Sequence, residues 1–471
     1  MTDNRRGRAA VLGSGFAGLC AARALADHFD EVLVFERDKC PPDHSEARKG
    51  VPQGWHVHVL LIAGQRAVER LFPGFLAEVE RRGAQNVDFA DDMAWLHHGA
   101  WKQRYVSGYS TLMQSRPLIE QVVRDRLAEQ GNVTVRYQTK VKKLHWVDGA
   151  VRGVVIAEGD QEPATIETDL VIDATGSGSQ LPKWLEEAGY PTPPESKVGI
   201  GLGYTSRFYK RPSEGTFDWR GLMVYPQAPA ENRGGVILPV EDGRWLVTLT
   251  GYNGDHPPTD VDGWLEYAKS LPHPSLAEAL TKAEPLTDPR IYLVPSTRWR
   301  HFERCSRHPD GLVAVGDSIC RFDPVFGQGM TQASLGATLL HDMLSAGRLV
   351  PAKYYAQMAK RNKVPWDMAC VEDFRYPQAE GKRPFGLGFM QGYVRHVFML
   401  STTNPKVYTR FLGVLNLIKS PYSLFHPAVL MRVLGRIFTG SKPGPTEMPM
   451  RALPSGGQAP RQLTSGDQAA G

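Results

Sequence analysis

Residues 13–18 read GSGFAG, with glycines at 13, 15 and 18 in the spacing G-x-G-x-x-G. That spacing suits phosphate binding. Gly13 allows a tight turn. Gly15 lets bare backbone N–H groups approach a pyrophosphate. Gly18 lets a helix pack closely on the strand before it. A carboxylate, Glu36, follows 23 residues after Gly13, where it can accept both hydroxyls of a ribose. An acid there argues against a 2′-phosphate, so the implied nucleotide is ADP-like: NAD or FAD. A second acid, Asp317, stands in GDSICRFDPVFGQGM at 316–330, ahead of Pro324, Gly327 and Gly329. Asp317 could hydrogen-bond a polyol chain between pyrophosphate and ring, and only a flavin has such a ribityl chain. Pro324 stiffens the approach. The glycines leave backbone amides bare at a helix start, facing the flavin pyrimidine edge where negative charge collects on reduction.

The elements needed to place these groups are legible around them. RAAVLGSGFAGLCAARALADHFDEVLVFER reads as strand, turn, helix, strand, with the apolar run Ala9–Leu12 ending at Gly13 and EVLVFE ending at Glu36. The helix N-terminus offers free N–H groups and the positive end of a dipole. DGLVAVGDS is a further strand, Leu312–Val315, that can join the same sheet from far away in sequence. After Gly329, apolar residues at 330, 333, 337, 340 and 344 describe one buried helix face. TDLVIDATGSGS adds a third strand, ending at Asp173-Ala174-Thr175-Gly176.

Together these segments resemble the FAD-dependent monooxygenases of the para-hydroxybenzoate hydroxylase and squalene epoxidase type. Within them the chain looks most like bacterial epoxidases and hydroxylases of polyether, polyketide and terpenoid biosynthesis. The resemblance spans roughly residues 8–440. It includes ARKGVPQGWHVHVLLIAGQRAVERLFPG at 47–74, SRPLIEQVVRDRL at 115–127 and LPVEDGRWLVTLTGY at 238–252. It implies a Rossmann-like α/β FAD-binding domain at 1–194 and 301–350, and a mainly antiparallel-sheet substrate domain at 195–300. A helical cap at 351–440 and a disordered tail at 441–471 complete the expected order. It further implies that Arg48 and Arg116 contact the cofactor, Arg116 sitting at a helix mouth just before Pro117. The full expected cofactor set is Gly13, Gly15, Phe16, Ala17, Gly18, Glu36, Arg37, Arg48, Arg116, Asp317, Pro324, Gly327, Gly329 and Met330. His56 and His58, two residues apart with no third ligand evident, read as structural or flavin-side residues and not as metal ligands.

The chain has 471 residues, 42% apolar and 22% charged, with a formal charge of +5. That is an ordinary globular composition, long enough for two or three packed subregions, with no nucleic-acid signature. Five cysteines without a CxxC pair fit a reduced cytoplasmic protein. The basic, Ala-rich start imitates a secretory signal, but its spaced glycines and Arg23 argue for the nucleotide motif instead. No run of about 18 apolar residues predicts a membrane span. Gly199-x-Gly201-x-Gly203 lacks a following helix and is not a second fingerprint. NAD(P)H must therefore bind transiently or act through a separate flavin reductase. Residues 384–440 are apolar and basic without Asp or Glu. They read as a cap with a solvated basic face, the alternative being helices lying on an anionic membrane.

The expected reaction, by the resemblance, is transfer of one oxygen atom from O₂ through a flavin C4a-hydroperoxide to a hydrophobic alkene or electron-rich ring. A flavin halogenase is disfavoured because FDWRGLMVYP does not match Trp-x-Trp-x-Ile-Pro. A prenyl-chain reductase of the same fold, and a non-catalytic lipid-binding escort, are the other readings. Intact Glu36 and Asp317 argue against the escort.

Overall fold

The computed structural model describes residues 6–43, 47–159, 161–440 and 444–450. Its organising layer is a five-stranded sheet in the order Leu312–Ala314, Leu170–Asp173, Arg6–Leu12, Phe29–Phe35, Val133–Arg136. All of its pairings are parallel, and the registers bring Leu12 level with both Phe35 and Asp173, and Asp173 level with Ala314. The turns after these strands therefore lie along one carboxyl edge, where open α/β sheets bind their ligands. The sheet is apolar on both sides. Ala9, Val11, Val34, Ile172 and Val313 are fully buried, as expected of strands covered on both faces. The helix Phe16–Ala26 buries nine of its eleven residues, and the helix Gly329–Ser345 packs against it.

A second, ten-stranded sheet stands beside the first. The long strand Glu195–Lys210 pairs antiparallel with Arg244–Gly251 and Arg290–Arg300. The register slips between Gly199 and Leu202, and Gly201 has φ of 50°. The glycine run of this segment thus serves a bulge. Arg233–Val240 and Arg244–Gly251 form a hairpin through Glu241-Asp242-Gly243, with Asp242 and Gly243 at positive φ. Met93–His97 crosses the boundary expected between the domains: it joins this sheet by pairing parallel with Gly221–Val224. The first stretch of chain thus contributes to the second sheet.

The C-terminal helices run Pro351–Asp373, Leu387–Leu400, Pro405–Leu415 and Pro427–Phe438. Asn404 caps the third, accepting from Val407 N–H at 3.1 Å, with Pro405 in the first turn. That helix buries Tyr408, Phe411 and Leu412 against Met93 and Trp95 of the second sheet. Of the expected tail, 441–443 and 451–471 lie outside the described residues. Residues 444–450 run along the body, where Pro445 O accepts from Trp101 N–H at 2.9 Å and Met448 packs against the apolar cluster of the second sheet. No helix among the described residues is long and apolar enough to cross a membrane.

Candidate functional site

The carboxyl edge of the parallel sheet opens into a cavity of about 1420 Å³ that extends between the two sheets and under the C-terminal helices. Typical small-ligand pockets enclose about 300–1,000 Å³, so this one has room for more than one molecule. Of the expected cofactor residues, all but Gly18 line it. Gly18 acts on the turn itself: a Cβ there would stand 1.9 Å from Gly13 O, so only glycine lets the helix start so close. Gly13 has φ of 98°, and its N–H donates to Phe35 O at 2.8 Å, tying the turn to the next strand.

Glu36 is almost fully buried, and much of its accepting capacity is already used. Its Oε2 accepts from Ser14 N–H at 2.9 Å, Ser14 Oγ–H at 2.8 Å and Arg48 Nη1 at 2.9 Å. Its Oε1 accepts from Asp38 N–H at 3.0 Å. A carboxylate has about four lone-pair sites, which leaves Oε1 with room for one more donor rather than the pair expected from a ribose. Burial alone would raise the Glu36 pKa. Arg48 and the donors outweigh it and hold the carboxyl below its usual range. The guanidinium of Arg48 is likewise engaged, by Glu36, by Ser14 O at 3.0 Å and by Glu120 at 3.4 Å. It acts from beneath the glycine turn, positioning Ser14 and Glu36.

Arg116 opens the helix Arg116–Ala128, capped by Ser115. It pairs with Glu120 at 2.9 Å and donates to His58 Nε2 at 3.3 Å. The other His58 nitrogen donates to His56 O at 2.9 Å. A ring that donates on one side and accepts on the other is neutral. Burial, and for His58 also Arg116, pushes both histidines down to about 3. Both are therefore fixed and uncharged, and His58 lines the cavity.

Asp317 sits in a tight turn after Leu312–Ala314, and its carboxylate accepts no hydrogen bond from the described residues. Burial raises its pKa, while Arg116 and Arg321 oppose that shift. The turn is clasped to the neighbouring strand by Gly176 N–H donating to Ser318 Oγ at 2.9 Å. Beyond it Pro324–Phe326 forms a single 3-10 turn, with Asp323 Oδ1 accepting from Val325 N–H at 2.8 Å. Gly327 adopts φ of 65°, the left-handed conformation that favours glycine. Its N–H is consumed by Pro324 O at 3.1 Å. The amides free of an intrahelical acceptor are those of the next helix's first turn, at Gly329 and Met330.

The far half of the cavity is an aromatic chamber bounded by Phe89, Met93, Trp95, Tyr225, Phe398 and Phe411. Two polar clusters at its edge had not been singled out in the sequence. Asp323 and Asp373 are both fully buried beside Tyr252 and Tyr376. Burial and the neighbouring Asp323 push Asp373 well above the carboxylate range, and burial raises Asp323 as well. Asp323 lay within the quoted motif; its partner lies on a distant helix. Among the described residues, His97, His98 and Glu372 bring their ligand atoms within 4.8 Å. Arg375 already binds Glu372 through two hydrogen bonds, at 2.9 and 3.0 Å, and Lys102 is adjacent. A site so rich in cations disfavours a dication.

Comparison with known proteins finds relatives in sequence and in fold. A family profile described as FAD dependent oxidoreductase matches residues 9–183. Protein Rv3254 of Mycobacterium tuberculosis is 30% identical over 454 residues, covering 92% of this chain and 94% of that protein. The chain belongs to the FAD-dependent oxidoreductases. Kynurenine 3-monooxygenase of Salinispora arenicola is 27% identical over 73% of this chain and 74% of its own. Two solved structures share the fold. p-Nitrophenol 4-monooxygenase PnpA from Pseudomonas putida DLL-E4 aligns with a TM-score of 0.60 at 18% identity, over 87% of this chain and 99% of its own. The flavin-dependent brominase Bmp2 aligns at 0.62 and 14%, over 92% and 98%.

The oxidoreductase's own residues fit FAD. Nothing lies within 4 Å of where a Cβ on Gly15 would stand, and Gly15 borders the cavity. A methyl group there would fill the cradle. Asp317 and the first-turn amides of the helix Gly329–Ser345 offer an unspent acceptor and unspent donors along the same cavity.

Proposed function

We propose that this protein is an FAD-dependent monooxygenase that transfers one atom of O₂ to a hydrophobic alkene or electron-rich aromatic substrate. The observation that carries the reading is the continuity of a single cavity. It runs from Gly13 and Glu36, past Asp317 and Gly329, into a chamber walled by aromatic side chains. FAD, when reduced, supplies the activated oxygen, which is chemistry that no side chain provides. In this reading the Gly13–Gly15 turn and the N-terminus of the helix Phe16–Ala26 hold the pyrophosphate. The remaining site on Glu36 Oε1 takes one ribose hydroxyl, and Asp317 accepts from the ribityl chain. Gly329 and Met330 present their amides to the ring, and Tyr225 Oη donates to Val325 O at 3.3 Å, steadying the loop that places them. The apolar chamber excludes water and orients the substrate. Reducing equivalents come from NAD(P)H directly or through a separate flavin reductase, and anaerobic titration with NADH and NADPH distinguishes the two.

Two measurements test the reading. Gly15→Ala is expected to weaken FAD binding about tenfold, an overpacking cost within about 1–3 kcal/mol, without a change in far-ultraviolet circular dichroism. Unaltered FAD affinity would remove the cradle. With reduced FAD and lipophilic alkenes or arenes, label from ¹⁸O₂ should enter the product as one atom, and label from H₂¹⁸O should not. Equal product yield under strict anaerobiosis would contradict oxygen transfer and favour alkene reduction.

A further inference from the structure

We propose that the C-terminal helices seat the mouth of the chamber on an anionic lipid bilayer. Three observations meet at this face. The first is the location of the opening. Tyr422 lines the cavity yet is 83% exposed, and Phe425 beside it is 36% exposed, so the chamber reaches the surface between the helices Leu387–Leu400 and Pro427–Phe438.

The second is apolar surface left uncovered around that opening. The helix Pro427–Phe438 buries only Val429 and Val433. Leu430, Leu434 and Ile437, spaced i, i+4 and i+7, share its outer side with Met431 at 67% exposure and Phe438 at 84%. Phe389, on the first turn of the neighbouring helix, is 74% exposed. Scattered apolar side chains on a surface need no explanation, but a contiguous set around a cavity mouth does.

The third is charge. Residues 382–440 hold eight Lys or Arg and no Asp or Glu, whereas the whole chain carries only +5, so the rest of the protein is net negative. Arg395, Lys406, Lys419 and Arg432 are exposed. The combination selects the occupant. A second copy docked on this face would oppose one uniformly basic surface to another. A nucleic acid would neutralise the charge and leave the aromatic and aliphatic side chains in water. An anionic bilayer satisfies both, taking the apolar side chains into the boundary between headgroups and acyl chains and the basic ones against its surface potential. A lipophilic substrate would then pass from bilayer to chamber without crossing water. That loading step rests on the monooxygenase reading; the seating does not.

The test is sedimentation of the full FAD-bound chain with vesicles of phosphatidylcholine alone and of phosphatidylcholine with about one-third phosphatidylglycerol. Binding is expected to the anionic vesicles, to fall with added salt, and to be weak on the neutral ones. The combined variant Phe389→Ser, Met431→Ser, Phe438→Ser alters exposed side chains that do not line the cavity. It should keep its FAD content and lose affinity at least about tenfold. Absence of vesicle binding, or full binding by the variant, would overturn the proposal. So would self-association by light scattering that the variant abolishes, since the face would then be a contact between copies. Oxygen uptake with a water-soluble substrate analogue, measured without vesicles on the same proteins, reports separately on the monooxygenase reading.

Discussion

Replacing Arg48 with Met is expected to destabilise the protein by about 3–5 kcal/mol at neutral pH, the range for leaving a buried charge without its partner. Arg48 bridges two buried carboxylates, Glu36 at 2.9 Å and Glu120 at 3.4 Å. Burial acts to raise both carboxyls. Arg48 opposes it at Glu36, and Arg116 and then Arg48 oppose it at Glu120, so both end below the usual range. The sign of the pH dependence follows. A carboxyl with a depressed folded pKa contributes stability that is present above its unfolded value and lost only as pH falls through the folded one. The native protein should therefore hold this contribution until pH falls below the ordinary carboxylate range. In Arg48→Met, burial at Glu36 loses its largest opponent, only the Ser14 and Asp38 donors remain, and the carboxyl rises. The deficit in Tm relative to the native protein should then shrink as pH falls from 7 towards 4.5, because protonation removes the stranded charge. Adding Glu36→Gln should recover part of the lost stability at pH 7. A deficit that neither acidification nor Glu36→Gln reduces would mean that Arg48 does not hold the turn by charge. Glu120 keeps Arg116 and Arg124 as partners, so the effect should centre on the Gly13–Ser14 turn.

Arg48 also shows where reading the chain stops. The glycine turn, the helix after it and Glu36 are legible because their logic is local: three glycines and an acid within one strand–helix–strand unit. The strands ending at Asp173 and Ala314 were legible as apolar runs closed by turn residues. What those residues leave available was not legible. The spacing suggested a Glu36 accepting two ribose hydroxyls, whereas its oxygens accept from Ser14, Asp38 and Arg48. The expected amides at Gly327–Met330 shrink at one end, since Gly327 N–H is turned onto Pro324 O. The chamber was the least legible part. Its walls come from Phe89 and Trp95, from Tyr225 and from Phe398 and Phe411, segments joined only by tertiary packing. The parallel pairing of Met93–His97 with Gly221–Val224 has no local signature either, because a parallel ladder can form between strands any distance apart in sequence. Asp323 and Asp373 come together only where the helix Pro351–Asp373 passes the turn Pro324–Phe326.

Lys102 is a buried lysine packed behind Phe398 and Phe411 of the chamber, and its replacement by Met should stabilise the protein at low pH. Its side chain is almost wholly buried, at 1% exposure. Nζ donates to Phe398 O at 2.6 Å and lies 5.2 Å from the Phe398 ring centroid and 5.9 Å from that of Phe411. One carbonyl and two ring faces do not replace the water an ammonium loses, although Glu372 nearby opposes the shift. Burial therefore pulls the lysine from 10.5 down to about 7. Each tenfold change in a proton affinity corresponds to about 1.4 kcal/mol, so the charged form sits at a cost of about 4–5 kcal/mol relative to an exposed lysine. Met has similar length and no charge, but it leaves Phe398 O without this donor, which costs about 1–3 kcal/mol. The difference favours Met by about 2 kcal/mol below pH 7. A lysine with a depressed folded pKa contributes stability that is fully present above its unfolded pKa and lost as pH falls through the folded one. The advantage of Met should therefore be largest near pH 6 and reverse between about pH 8 and 10, where the shrinking charge penalty of about 1.4 kcal/mol per pH unit falls to the size of the lost hydrogen bond to Phe398 O. Calorimetric Tm values of the two proteins at pH 6 and pH 9.5 decide it. The gap should vanish or change sign between them. An equal gap at both values would mean that Lys102 keeps its ordinary pKa despite its burial.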